Sequence, residues 1–150
     1  MGTLPQSQTT QHEIREVIAE REAAIRDRDA RRVVQVHTAD TVIFDLAPPL
    51  RLKGSDALDP KALEDWFATW AGPIGLEHRD LDVTVAGDLA FAHGLLHLTG
   101  SRTSGEQTDV WVRQTFCLRR VNGAWRIVHE HASVPFYMDG SDRAAVDLKP

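Results

Sequence analysis

Apolar positions along this chain change their spacing about halfway, from helical to alternating. Ile14, Val17, Ile18 and Ile25 fall on one helical stripe with Ala24 beside it, while Glu13, Glu16, Glu20, Arg26 and Asp27 hold the other face. This predicts an amphipathic helix from His12 to about Arg28, preceded by a loose polar arm over residues 1–11. Asp29 is placed to cap a short second helix carrying Val33, Val34 and Val36. Thr41 to Ala47 reads as a strand closed by Pro48-Pro49. Asp59-Pro60 joins a capping acid to a first-turn proline. Leu63, Trp66, Phe67 and Trp70 then supply the apolar face of a third helix, which Gly72-Pro73 stops.

From Leu76 the pattern is that of strands. Leu81, Val83 and Val85 alternate up to a Gly87-Asp88 turn, and Leu89 to Thr99 runs back. Residues 100–107 form a polar hairpin loop, Thr108 to Val121 a long strand, Asn122-Gly123 a turn, and Ala124 to Pro135 the last strand. Residues 138–150 read as a weakly ordered tail. Helices first and strands last predict an α+β fold, three helices packed on one face of a bent, mostly antiparallel sheet.

The chain has 150 residues, the length of one domain, and its 42% hydrophobic and 26% charged residues are those of a globular protein. A net charge of -5 argues against nucleic acid as a partner, because neutralising phosphates takes a clustered excess of Lys and Arg. The basic runs Arg26–Arg32 and Arg119-Arg120 are short, and the first is broken by acids. Cys117 is the single cysteine, so no intramolecular disulfide forms and a cysteine-based zinc site is excluded. The first ten residues carry neither a basic start nor an apolar run, and no segment has the length to cross a membrane. The cytoplasm is the expected compartment.

Two stretches resemble a known family. Val17 to Ile25 through Ala39-Asp40-Thr41-Val42-Ile43-Phe44-Asp45 is similar, without a gap, to ketosteroid isomerases. Arg119-Arg120-Val121-Asn122-Gly123-Ala124-Trp125-Arg126-Ile127-Val128-His129-Glu130-His131 to Pro135 resembles the end of SnoaL-like proteins and of the calmodulin-dependent kinase association domain. The chain thus looks like a member of the nuclear transport factor 2-like superfamily over residues 12–137. The resemblance implies a cone-shaped, strongly bent sheet whose helices enclose one pocket, and a homodimer. It implies no metal and no cofactor. One fold of this kind hosts many chemistries, so function has to be argued from the site.

Asp45 takes the place of the family's general base. On a strand it shares a face with Thr41, Ile43 and Ala47, an apolar wall where loss of solvation would make a carboxylate a usable base near neutrality. The other reading is a strand-end Asp that satisfies backbone N–H groups before the prolines. The isomerase's oxyanion hole, a tyrosine with a protonated aspartic acid, is a worked case of a neutral acid acting as a donor. Here Arg21 stands in the tyrosine's place, and the stretch Val110 to Val121 holds no acid. A steroid isomerase is therefore not expected.

By resemblance, the face carrying Trp111, Arg113 and Thr115 lines the pocket, with Arg113 gripping a substrate carboxylate or enolate, or else paired with Glu130. His93 shares a face with Phe91, Leu95 and His97 and is either a pocket acid–base group or a satisfied core histidine. Alternation leaves open which face of residues 124–135 turns inward; similarity to the isomerases points Glu130 to the pocket and His129 and His131 to a subunit interface. Trp66 and Trp70 are expected as core and pocket lid. The expected catalytic set is Asp45, His93 and Arg113. Trp66, Trp70, Phe91, His97, Trp111, Thr115 and Glu130 are expected to bind a small hydrophobic or acidic molecule. Two function classes follow: a cofactor-independent isomerase, cyclase or dehydratase acting on a carbonyl compound, or a non-catalytic binding or assembly domain.

Overall fold

A computed structural model describes Gly2 and residues 5–150. Helix α1 spans Gln6–Arg26, α2 spans Ala30–Gln35 and α3 spans Pro60–Phe67. The strands are β1 (His37–Phe44), β2 (Leu52–Lys53), β3 (Gly75–Ala86), β4 (Leu89–Ser101), β5 (Gln107–Val121) and β6 (Ala124–Ser133). They form one curved sheet in the order β2-β1-β6-β5-β4-β3. All neighbours are antiparallel except β1 and β6, which run parallel. The α+β architecture is as expected.

The boundaries depart from expectation where polar residues hid an element. Helix α1 starts at Gln6, inside the stretch expected as a loose arm, because its first turns are Gln, Ser and Thr and carry no apolar signal. Thr10 is buried there and its hydroxyl donates to Gln6 O at 3.0 Å. Strand β1 begins at His37 rather than Thr41. Residues 138–150, expected to be weakly ordered, include a turn that folds back. Phe136 bridges Ala144, Tyr137 N–H donates to Arg143 O at 2.8 Å, and Ala145 is buried.

One sheet face meets the helices, and two bulges decide which residues it carries. On β3 the register shifts between Arg79 and Asp82, with Asp80 at a positive φ of 56°. Leu76 and His78 therefore share the helix-side face with Leu81, Val83 and Val85. Gly94 lies opposite, where a Cβ would stand 3.0 Å from Arg79 O, so a side chain there would press on the bulge. On β6 the register shifts beside Val128, so that Cys117 pairs with His129 but Leu118 with Ile127. Trp125 and Ile127 face inward before the bulge, and Glu130 and Ala132 after it. The two faces that strict alternation set against each other are thus both partly inside.

The helix side holds two apolar clusters. Ile14 and Ile18 pack on Val83, Ala92, Phe116 and Ile127; Ile25 and Val33 pack with Phe67, Trp70, Leu76 and Val112. Each large side chain so buried contributes roughly 1.5–3 kcal/mol. Among the described residues no helix is long and apolar enough to cross a membrane.

Candidate active site

Helix α1 carries two charged residues on its buried side. Glu22 stands in the apolar stripe between Ile18 and Ile25, and Arg21 lies next to it. The β6 bulge turns Glu130 toward them, and Arg21 Nη2 meets Glu130 Oε1 at 2.7 Å. His37, at the start of β1, donates from Nδ1 to Val33 O at 2.7 Å, which leaves Nε2 to contact Glu130 Oε2. On β3, His78 Nδ1 contacts Glu22 Oε1. Phe116 lies between the two groups, 5.2 Å from the Arg21 guanidinium and 5.6 Å from the His78 ring.

Burial and charge act on these residues in opposite directions. Burial alone would raise Glu130, but the Arg21 and His37 charges and hydrogen bonds prevail and hold it well below the usual carboxylate range, at about 2. Burial, then the Arg21 charge, push His78 down to about 4, with Glu130 opposing. Glu22 touches His78, yet the two are not aligned as a hydrogen bond, so burial wins. Two Arg21 nitrogens, Nε and Nη1, have no hydrogen-bond partner.

A cleft of about 940 Å³ opens at the end of the sheet where β1 and β6 finish. Phe44, Pro48, Leu50 and Val134 give it apolar walls, and Asp45, Arg51, His131 and Ser133 are its polar members. Ile43 pairs with Glu130, so Asp45 lies two positions further out, level with Ala132, whose partner Gln114 is buried. Asp45 is exposed, and its Oδ1 accepts the Leu46 N–H at 2.7 Å. The loss of solvation expected for this carboxylate is absent in the open cleft.

The structure does not bring His93 and Arg113 to Asp45. On β4 and β5 the even-numbered residues Ala90, Ala92, Leu96, Val112, Gln114, Phe116 and Leu118 are buried beneath the helices. Phe91, His93, His97, Trp111, Arg113 and Thr115 therefore lie on the opposite, outer face, contrary to the pocket placement expected for them. Their own pattern is the reason: the outer face is the more polar one, and the series that is apolar but for Gln114 faces the core. There Phe91 stacks on His93, His97 on Trp111, and Arg113 Nε donates to Ser133 Oγ at 3.1 Å. His97 also meets Asp109 at 2.6 Å. Trp66 and Trp70 pack edge to face at 5.5 Å within the core, and the Arg102 guanidinium covers Trp70 at 4.1 Å. Glu130, expected in the pocket, is buried against Arg21 and His37 and does not line the cleft. Glu22, His37 and His78 were not singled out from the sequence. The readable signal was Glu22 itself, a charge set in an apolar stripe.

A model of the SnoaL-like domain matches residues 14–137. The chain belongs to that family. Similar solved structures include an NTF2-like protein of unknown function from Pseudomonas putida KT2440, 35% identical, with a TM-score of 0.84 over 97% of this chain and 100% of that one. A protein named as a dehydratase of the NTF2-like family from Streptomyces avermitilis is 17% identical, with a TM-score of 0.75 over 85% of this chain and 97% of that one. The association domain of C. elegans CaMKII is 16% identical, with a TM-score of 0.66 over 85% and 97%. The last two share the fold. No curated protein sequence matches this chain.

Proposed function

We propose that this SnoaL-like protein is a cofactor-independent enzyme that moves a proton on a small hydrophobic carbonyl compound, with Asp45 as its base. The observation that carries the reading is a carboxylate in a wide cleft with apolar walls, two positions out from a buried charged cluster. A substrate seated against Phe44, Pro48 and Val134 would displace water from Asp45 and strengthen its basicity. One carboxylate oxygen already accepts Leu46 N–H, which orients the group; the other is left for the substrate's α-proton. Negative charge developing on the carbonyl oxygen needs donors inside the cone. The Gln114 amide, beside Ala132, and the unpartnered N–H groups of Arg21 are the candidates.

The Asp45→Asn variant tests this on a substrate found by screening carbonyl compounds. Turnover should fall by about two orders of magnitude. The melting temperature should not move, because the side chain is exposed. Full activity in Asp45→Asn removes the general-base role. Saturable ligands without turnover would favour the binding-domain reading instead.

A further inference from the structure

Arg51, at the end of the loop between β1 and β2, lines the same cleft as Asp45 and His131. Its place is set from both sides. Pro48-Pro49 restrict the backbone before it. After it, β2 is tied to β1 through the pairs Ile43 with Leu52 and Val42 with Lys53. Continued by one residue, that register sets Arg51 level with Phe44, about 5 Å away across the strands. Phe44 pairs in turn with His131, and their rings meet edge to face at 5.3 Å. A cationic side chain thus stands beside the residue that precedes the base, at the rim of the same apolar wall.

Many other arginines have partners. Arg21, Arg32, Arg119 and Arg120 meet acids. Arg15, Arg26, Arg28 and Arg126 donate to backbone carbonyls, and Arg113 donates to Ser133 Oγ. Arg51 and Asp45 are both exposed, and neither has an ion-pair partner among the described residues. Opposite charges that line one cleft without pairing are both open to a ligand. A guanidinium grips a carboxylate with two parallel bonds, and the grip strengthens where a ligand covering the apolar wall displaces water. Asp45 repels the same carboxylate. An acid therefore lies with its charge at Arg51 and its carbon chain toward the base.

Resting on the proton-transfer reading of this cleft, we propose that the substrate is an oxo acid with an apolar tail, and that Arg51 selects it. The carboxylate sits in the fork of Arg51, the tail against Phe44, Pro48 and Val134, and the carbon beside the oxo group at Asp45. The probe is 2-oxo-4-phenylbutanoate; its control is 4-phenylbutan-2-one, which carries a methyl group in place of the carboxylate. In calorimetry on the full chain the oxo acid should bind at least about tenfold more tightly than the ketone. Amide chemical shifts should move over residues 44–51 and 131–134. Arg51→Gln should erase the preference at an unchanged melting temperature, because the side chain is exposed. Arg51→Lys should restore part of it, since the charge returns without the fork. Asp45→Asn removes a like charge and should not weaken the oxo acid, but it should stop exchange of the probe's C3 protons for deuterium in D2O. Binding and proton transfer are thus read apart. A preference for the acid with no C3 exchange in the parent protein keeps the carboxylate site and removes the base. Equal affinity for the two compounds, a preference that survives in Arg51→Gln, or no saturation by about 10 mM overturns the proposal, whatever the exchange shows.

Discussion

Arg21, Glu130 and His37 show how a single residue's worth depends on its neighbours. With side chains 13% and 4% exposed, Arg21 and Glu130 are out of water, and each makes the other tolerable. Arg21→Met leaves a buried carboxylate short of its main counter-charge and should cost about 3–5 kcal/mol in a urea titration. The Arg21→Met/Glu130→Leu double variant should recover much of that loss. If the single and double variants lose equally, the pair is not coupled in this way.

His78 adds a dependence on acidity. Its folded form takes up a proton near 4, while an unfolded histidine does so near 6.5. Between those values the unfolded chain binds more protons, so stability falls as pH drops from 6.5 toward 4, by a total on the order of 3 kcal/mol. Glu130, held at about 2, adds a separate loss as pH falls from its unfolded value of 4.5 toward 2. A His78→Gln variant should flatten the upper window and keep the lower one in melting curves taken against pH.

At the scale of elements, the bulges on β3 and β6 are what place the charged cluster. Each inserts one extra residue and reverses which side chains face the helices. Deleting Val128 removes the extra residue: Ile127 stays inward, His129 takes the outward place and Glu130 remains inside, opposite Phe116. Arg21 would then keep its acid. Such a variant should stay within about 1 kcal/mol of the parent in a urea titration; a loss of about 3 kcal/mol would show that the bulge itself holds Glu130 on Arg21. The same bulge explains why the face of residues 124–135 stayed open in the sequence. Trp125 and Ile127 argued for one face and Glu130 for the other, and a strand with a slip in it satisfies both.

At the scale of the molecule, the outer sheet face carries Phe91 at 46% and Leu89 at 58% exposure, together with Trp111, His93 and His131. We expect this face to pair with a second copy of the chain, as the family resemblance implied. Sedimentation should give a dimer at micromolar concentration, and Phe91→Glu should shift it to monomer. A wild-type monomer under those conditions ends the dimer reading.

The order of the helices and long strands, the α+β class and the family were legible in the amino-acid sequence, while the two-residue β2 was not, because helix and strand periodicities, caps and turns are local properties that each segment states by itself. Glu22 was legible in the same way, as a charge where the stripe demands an apolar residue. What only the tertiary structure decided was which side chains meet. His37, His78, Glu22, Arg21 and Glu130 come from α1, β1, β3 and β6, and no spacing along the chain links them. Their meeting rests on register slips on β3, on β6 and between β1 and β6 after His37, and a slip leaves no periodic mark because it breaks the period that would reveal it. The outward placement of His93 and Arg113 involves no slip: β4 and β5 pair without a break, and their more apolar alternate residues turn to the helices.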